Sequence, residues 1–201
     1  MKLYTSLASP YGRKVHVLAL EKGIELDIEW VKSPYVSVAR LNPLGQVPTF
    51  ERDDGTILFD SAVIIEDLDA RSGPSLHGET EARIAIGVWD ALADGLIDAT
   101  VKRMLELRRE PAQQSPAVVR HAESKIKRSV DYAERRIGGE QAFLVGGAFS
   151  LADIALCCAI DYLDLRYRHA WRDRCPQLAS MHERLASRPS LAQTRPPAPN
   201  E

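Results

Sequence analysis

Three short stretches carry polar groups at points where the backbone is open. In the first, Gly45-Gln46-Val47-Pro48 runs into Thr49-Phe50 and then an Asp54-Gly55 turn. Pro is tolerated at the first position of a strand, and an X-Pro bond can be cis, so Pro48 is a candidate cis-Pro that exposes backbone polar groups at a strand end. The plain alternative is a loop leading into a hairpin. In the second, Ser9 precedes Pro10, the order favoured at a helix start, where Ser caps and Pro occupies the first turn. A hydroxyl donor there can favour an anion through its own hydrogen bond and through the helix dipole behind it. In the third, Asp60-Ser61 opens another helix, where a carboxylate, a hydroxyl and free N–H groups meet, and where either residue also serves as a cap.

Other chemistries lack their residues. His16, His77, His121, His169 and His182 are scattered and no Cys-x-x-Cys occurs, so no metal site is expected. There is no phosphate-binding Gly-rich loop and no Gly-x-Ser-x-Gly. With 26 basic and 28 acidic residues interspersed over 201 positions, the net charge of -2 argues against a polyanion surface, so nucleic acid is not an expected partner. Met1-Lys2-Leu3-Tyr4-Thr5 lacks the apolar core of a signal peptide and no stretch approaches a membrane span, which points to the cytoplasm and away from membranes. Cys157 and Cys158 are adjacent in a helical run, where geometry disfavours a disulfide. They read as small buried hydrophobes in a reducing compartment.

The elements that must position these groups follow from periodicity. Lys2–Thr5 is a strand, Ser9-Pro10 opens a helix that Gly23 stops, and Leu26–Trp30 is a second strand, together a βαβ unit. Val47–Arg52 and Thr56–Phe59 form a hairpin, and Ser61–Arg71 is a helix. The order βαβ-ββα gives a four-stranded mixed sheet with helices on its faces. Ser72-Gly73-Pro74-Ser75-Leu76-His77-Gly78 is rich in helix breakers and reads as a linker, dividing the chain into residues 1–74 and 75–201. The remainder is helical: one long helix from Glu79 to about Leu107, a second through Val119, Ile126 and Ile137, a third after Ser150, and a last over Gln177–Ala186. The fold class is therefore α/β plus all-α, ending in an irregular Arg195-Pro196-Pro197-Ala198-Pro199 tail.

Phe149-Ser150-Leu151-Ala152-Asp153 has the form of a capping box with Asp in place of Glu. The helix it starts is apolar almost all round and must lie in the middle of the bundle. Losing the Asp153 carboxylate should cost on the order of a kcal/mol or more of stability, a folding effect and not a catalytic one.

The four pieces Ser9-Pro10-Tyr11-Gly12-Arg13-Lys14-Val15, Asn42-Pro43-Leu44-Gly45-Gln46-Val47-Pro48, Phe59-Asp60-Ser61 and Phe149-Ser150-Leu151-Ala152-Asp153, in this order, resemble the cytosolic glutathione transferases over essentially the whole chain. The resemblance implies a thioredoxin-like glutathione-binding domain followed by an all-helical one, with glutathione as co-substrate, a small electrophile as partner and a homodimeric assembly. It transfers Ser9 as the group that favours the thiolate, of the Ser type found in bacterial members. Tyr4 is a rival, and Ser6, Ala8 and Tyr11 fall near the site. Lowering a thiol pKa by about two requires roughly 2.7 kcal/mol, within reach of a hydroxyl donor and a helix N-terminus together. The alternative for Ser9 is plain helix capping.

The resemblance also gives the rest of glutathione its partners. Val47, ahead of Pro48, pairs with the cysteinyl backbone; Asp60 takes the ammonium and Ser61 the carboxylate of the γ-glutamyl end. Arg40 and Gln46 fall at the glycine end, where many relatives carry Lys in place of Gln46. Tyr11, Met104, Leu105, Arg108, Tyr162, Tyr167 and Trp171 are candidates for the acceptor pocket. The basic run from Arg166 to Arg172 is either an attractor of anionic substrates or a solvated rim. The expected activity is transfer of glutathione to an electrophile, in keeping with a detoxification enzyme, with isomerisation or peroxide reduction using the same thiolate. The other reading is a glutathione-binding or regulatory member that uses the fold to dock a partner. The dimer would pair the last helix of the first domain with the long helix, which presents Ile84, Ala85, Ile86 and Val88.

Overall fold

The computed structural model describes residues 1–139, 141–167 and 169–197. Strand β1 (Lys2–Thr5) is followed by helix α1 (Pro10–Glu21) and strand β2 (Asp27–Trp30). A short helix α2 (Pro34–Ser37), strands β3 (Thr49–Glu51) and β4 (Ile57–Leu58), and helix α3 (Ser61–Asp69) complete the first part. The sheet order is β2-β1-β3-β4, with β1 parallel to β2 and antiparallel to β3, which is the expected four-stranded mixed sheet. Leu3 pairs with Ile28 on one side and Phe50 on the other. Leu3 and Phe50 are buried with Val15 and Leu18 of α1 and Ile64 and Leu68 of α3.

The strands of the hairpin are shorter than the sequence pattern implies. Val47 and Pro48 stay outside β3: Pro48 has no N–H to give to a ladder, and the Gln46 carbonyl ahead of them accepts from Asn42 Nδ2 at 3.1 Å and from Thr49 Oγ1 at 2.8 Å. Asn42 is buried, and its Oδ1 accepts from the Leu44 N–H at 2.9 Å, so one amide holds the whole turn. The Val47–Pro48 bond is cis, as expected, and so is Phe59–Asp60.

The helical part comprises α4 (Thr80–Leu107), α5 (Pro116–Arg136), α6 (Leu151–Arg166), α7 (Pro176–Ala186) and α8 (Pro189–Gln193), with a 3-10 turn at Pro111–Gln113. Helix α6 is buried continuously from Leu151 to Leu163 and sits at the centre, packed against α1, α4 and α7. Its start is fixed by the buried Asp153 carboxylate, which accepts from the N–H groups of Leu144 and Ser150, each at 2.9 Å, and from Ser150 Oγ at 3.1 Å. Helix α8 is absent from the sequence expectation; it starts on Pro189 at the first helical position and ties back to α1, where the Glu21 carboxylate accepts from Arg188 Nε at 2.7 Å. Ile86 packs into the core, unlike Ile84, so it adds nothing to the exposed apolar face of α4 expected to pair across a dimer. Cys157, Cys158 and Cys175 are free and buried. Among the described residues no helix is long and apolar enough to cross a membrane.

Candidate functional site

The N-terminus of α1 is built around Ser9. Its extended backbone makes it the N-cap, its Oγ accepts from the Gly12 N–H at 3.1 Å, and Pro10 follows as the first helical residue. With Oγ already accepting, the Ser9 O–H proton is left to donate outward. The Tyr11 N–H has no hydrogen-bond partner among the described residues, so the positive end of the helix is open beside that hydroxyl. Gly12 is required here: a methyl on it would overlap Thr5 Oγ1, so the first turn of α1 lies directly on β1.

Beside this terminus lies a cleft of about 470 Å³. One wall is the turn Asn42, Leu44, Gly45, Gln46, Val47 and Pro48, the floor includes Asp60 and Ser61, and the far wall is Tyr11 with Asp94, Asp98 and Val101 of α4. The Val47 N–H and C=O have no protein partner among the described residues, which leaves one strand-like edge open toward a ligand. Asp60 caps α3, accepting the Ala62 N–H at 3.1 Å with one carboxylate oxygen, and Ser61 is buried behind it. Capping and ligand binding are compatible here, because the second carboxylate oxygen is uncommitted among the described residues.

Several expected residues are thus brought together: Tyr11, Gln46, Val47, Pro48, Asp60 and Ser61 share one cleft. Ser9 lies just outside that lining, in a narrower crevice shared with Thr5, Ser6, Arg13 and Arg195, and in a small void that it shares with Ala8 and Tyr162. Arg40 is exposed and apart from the cleft wall. Tyr4 is not placed to donate into the cleft: it is buried and its hydroxyl donates to Glu51 Oε2 at 2.7 Å. Burial and that carboxylate both raise its pKa.

The acceptor candidates divide. Tyr162 is buried with its hydroxyl 3.9 Å from Met104 Sδ, and Arg108 caps the end of α4 close by. Leu105 is half-exposed in a neighbouring groove with Lys102 and Arg109, which adjoins the cleft through Asp98 and Val101. Tyr167 lies under the Arg103 guanidinium at 3.6 Å. Trp171 corrects the expectation outright: it has no exposed surface and its Nε1–H donates to Asp164 Oδ1 at 2.9 Å, so it is a core residue and not a pocket wall. In the basic run, Arg172 is paired with Asp164 at 2.7 Å, and Arg168 lies outside the described residues.

Sequence reasoning missed the charged residues that hold the site in place. Lys14 is fully buried and donates to Asp90 at 2.8 Å and Asp94 at 2.6 Å, joining α1 to α4 beneath the cleft. Burial raises the Asp94 carboxyl and Lys14 opposes that only in part. Tyr11 donates to Asp98, and burial and this carboxylate raise the phenol well above its ordinary value. The spacing of Asp90, Asp94 and Asp98, four apart, was the available signal, since it puts three carboxylates on one helix face. The structure also brings Cys157, Asp161 and His182 within 4.8 Å of one another, a grouping no sequence spacing suggested. The Asp161 carboxylate is already shared by Arg13 and His182, so the cluster is a buried polar network around the Arg13–Asp161 ion pair.

The family model of the glutathione S-transferase N-terminal domain matches residues 8–71, and that of the C-terminal domain residues 116–180. The chain belongs to the glutathione S-transferase family. Among curated relatives, this transferase-family chain is 36% identical to the "Uncharacterized GST-like protein YibF" of Escherichia coli K12, over 98% of this chain and 99% of that one. A glutathione S-transferase of Methylobacillus flagellatus KT, solved with glutathione bound, is 39% identical with a TM-score of 0.93, covering 98% of this chain and 99% of that one. A glutathione transferase family member of Pseudomonas fluorescens Pf-5, also solved with glutathione, is 35% identical with a TM-score of 0.89 over 98% and 99% of the two chains. The same Pf-5 family member has been solved with S-(propanoic acid)-glutathione bound, at a TM-score of 0.87. The thioredoxin-like N-terminal part and helical C-terminal part are those of this family.

Proposed function

We propose that the protein is a cytoplasmic glutathione transferase that holds the glutathione thiol as a thiolate at Ser9 and transfers it to a small electrophile. The observation that carries this reading is the pairing of a free-donating Ser9 hydroxyl at an open helix N-terminus with a cleft walled by cis-Pro48, the unpaired Val47 backbone and Asp60-Ser61. Glutathione bound in structures 39% and 35% identical to this chain supports it. Val47 pairs with the cysteinyl backbone, Asp60 with the γ-glutamyl ammonium, and Ser61 with its carboxylate. The glycine end lies toward Gln46, with Arg40 as its cationic candidate. Acceleration then comes from positioning and from charge stabilisation of the thiolate, with no covalent enzyme intermediate.

The exposed apolar side chains Val63 on α3 and Ile84 and Val88 on α4 support a homodimer through these two helices. The division near residues 74 and 75 remains the reading of where the glutathione-binding part ends.

The test is steady-state conjugation of glutathione to 1-chloro-2,4-dinitrobenzene. A rate well above that of glutathione alone, saturating in glutathione, supports transfer. Saturable glutathione binding without turnover on any electrophile class would favour the binding or regulatory reading.

A further inference from the structure

The first turn of α1 has two sides. Tyr11 lines the glutathione cleft, whereas Ser9, and behind it Gly12 and His16 one turn apart, line a separate crevice of about 140 Å³ with Thr5, Ser6 and Arg195. The crevice lies where β1 and β2 end, and the half-exposed Trp30, paired with Thr5 across the two strands, also lines it. At about 30 Å³ per liquid water, it has room for an oxyanion-sized group and not for a tripeptide.

Its buried hydroxyl is unspent. Thr5 is 2% exposed, and its Oγ1 has no hydrogen-bond partner among the described residues. A methyl on Gly12 would stand 1.8 Å from that oxygen and 3.5 Å from Ser9 Oγ, so the glycine leaves both hydroxyls beside one open space. A buried hydroxyl without a partner is costly, and a ligand that accepts from it removes the cost.

Charge selects the kind of ligand. Among the described residues no carboxylate lines the crevice, whereas Asp60, Asp94 and Asp98 line the cleft and no Lys or Arg does. Arg195 is exposed and stands 3.9 Å from Asp161 Oδ1, a carboxylate already engaged by Arg13 and His182. Two guanidinium groups therefore share one carboxylate, which leaves positive charge at the crevice. His16 adds an imidazole whose pKa burial lowers, so the charge there comes from Arg195. A guanidinium beside free hydroxyls matches an oxyanion in charge and in donor geometry.

We propose that this crevice is an oxyanion site beside Ser9, in which Arg195 supplies the charge and the Thr5 hydroxyl a hydrogen bond. The oxyanion is the acid group of the acceptor or a free anion such as sulfate. The first source rests on the glutathione-transferase reading and names its substrate class: Ser9 lines the crevice, so a group carried on a sulfur held at Ser9 adjoins it. A purely structural Thr5 and Arg195, with water filling the crevice, predict an effect on stability and none on anion binding.

The experiment is isothermal titration of the full-length protein, at constant ionic strength, with sulfate, glutathione, S-(2-carboxyethyl)glutathione and its near-isosteric amide S-(2-carbamoylethyl)glutathione. With an acceptor-borne acid, the wild type binds the acid at least about tenfold more tightly than the amide, the scale of a charge-assisted hydrogen bond. Arg195→Gln and Thr5→Val each cut that ratio several-fold, Arg195→Lys keeps part of it, and the affinity for glutathione itself stays at the wild-type value. With a free anion, acid and amide bind alike, and sulfate binds saturably to the wild type and several-fold more weakly to Arg195→Gln and Thr5→Val. Thr5→Val melts no lower than the wild type, because the hydroxyl it removes is unpaired, so its weaker binding is not a loss of fold. Equal binding of acid and amide together with no saturable sulfate binding, or binding preferences untouched in both Arg195→Gln and Thr5→Val, overturns the proposal while leaving the transferase reading intact. Failure of glutathione itself to bind overturns that reading and the acceptor-borne source with it, and the sulfate titration then decides the crevice alone.

Discussion

Arg13 Nη1 donates to Asp161 Oδ2 at 2.7 Å, and through that bond the helix that begins at Ser9 is fastened to the centre of the helical bundle. The same guanidinium donates to the Leu191 carbonyl at 3.0 Å and to Thr194 Oγ1 at 3.2 Å, while His182 Nε2 lies 2.8 Å from the other Asp161 oxygen. Arg195 stands 3.9 Å from that oxygen and Cys157 Sγ 3.9 Å from Oδ2. One carboxylate therefore positions α1, α7 and the C-terminal segment together.

The pH dependence of stability follows from this carboxylate. Burial alone would push Asp161 up, but His182 and Arg13 outweigh it and hold it at about 2, below the ordinary 3.8. A depressed folded-state value means that the stabilisation is present above the unfolded pKa and is lost as pH falls toward the folded one. That difference corresponds to roughly 2 kcal/mol. Thermal melts should show the wild type losing stability between about pH 4 and 2, and Asp161→Asn should be less stable at pH 7 with a flatter acid limb. An acid limb identical in the variant would contradict the assignment.

Asp153→Ala should lower stability by about 2–4 kcal/mol, because it strands the buried N–H groups of Leu144 and Ser150 and removes the cap of the central helix. Denaturant unfolding measures it. The glutathione affinity of the molecules that remain folded should be that of the wild type, and a selective loss of affinity at unchanged stability would contradict a purely structural role.

Asp60→Asn separates binding from capping. Asn serves nearly as well as Asp at an N-cap, so the melting temperature should change little. Removal of the charge facing the γ-glutamyl ammonium should weaken glutathione binding by about tenfold or more. A melt reads the first and calorimetry with glutathione the second; unchanged affinity would remove Asp60 from the site.

What was legible in the sequence was what is local. Ser9-Pro10 as a helix start, Val47-Pro48 as a cis bond and Ser150 with Asp153 as a cap each involve residues a few positions apart, where steric rules act directly. The ion pairs were not legible, because Arg13 and Asp161 are 148 residues apart and Lys14 and Asp90 are 76 apart. Helical periodicity tells which residues share a face but not what faces them. That is why Trp171 could pass for a pocket residue when it is core, and Ile86 for an interface residue when it packs inward. The hairpin is shorter than alternation implies because Val47 leaves its backbone groups unpaired among the described residues and Pro48 has no N–H to give to a ladder.

Whether Ser9 holds the glutathione thiolate is decided by titrating glutathione into wild type and Ser9→Ala across pH while following thiolate absorbance in the ultraviolet, with calorimetry to establish binding in both. The expected result is a thiolate at neutral pH in the wild type, its loss in Ser9→Ala with glutathione still bound, and conjugation slowed on the order of a hundredfold. Bound glutathione that is equally protonated in both proteins, or equally ionised in both, would contradict it.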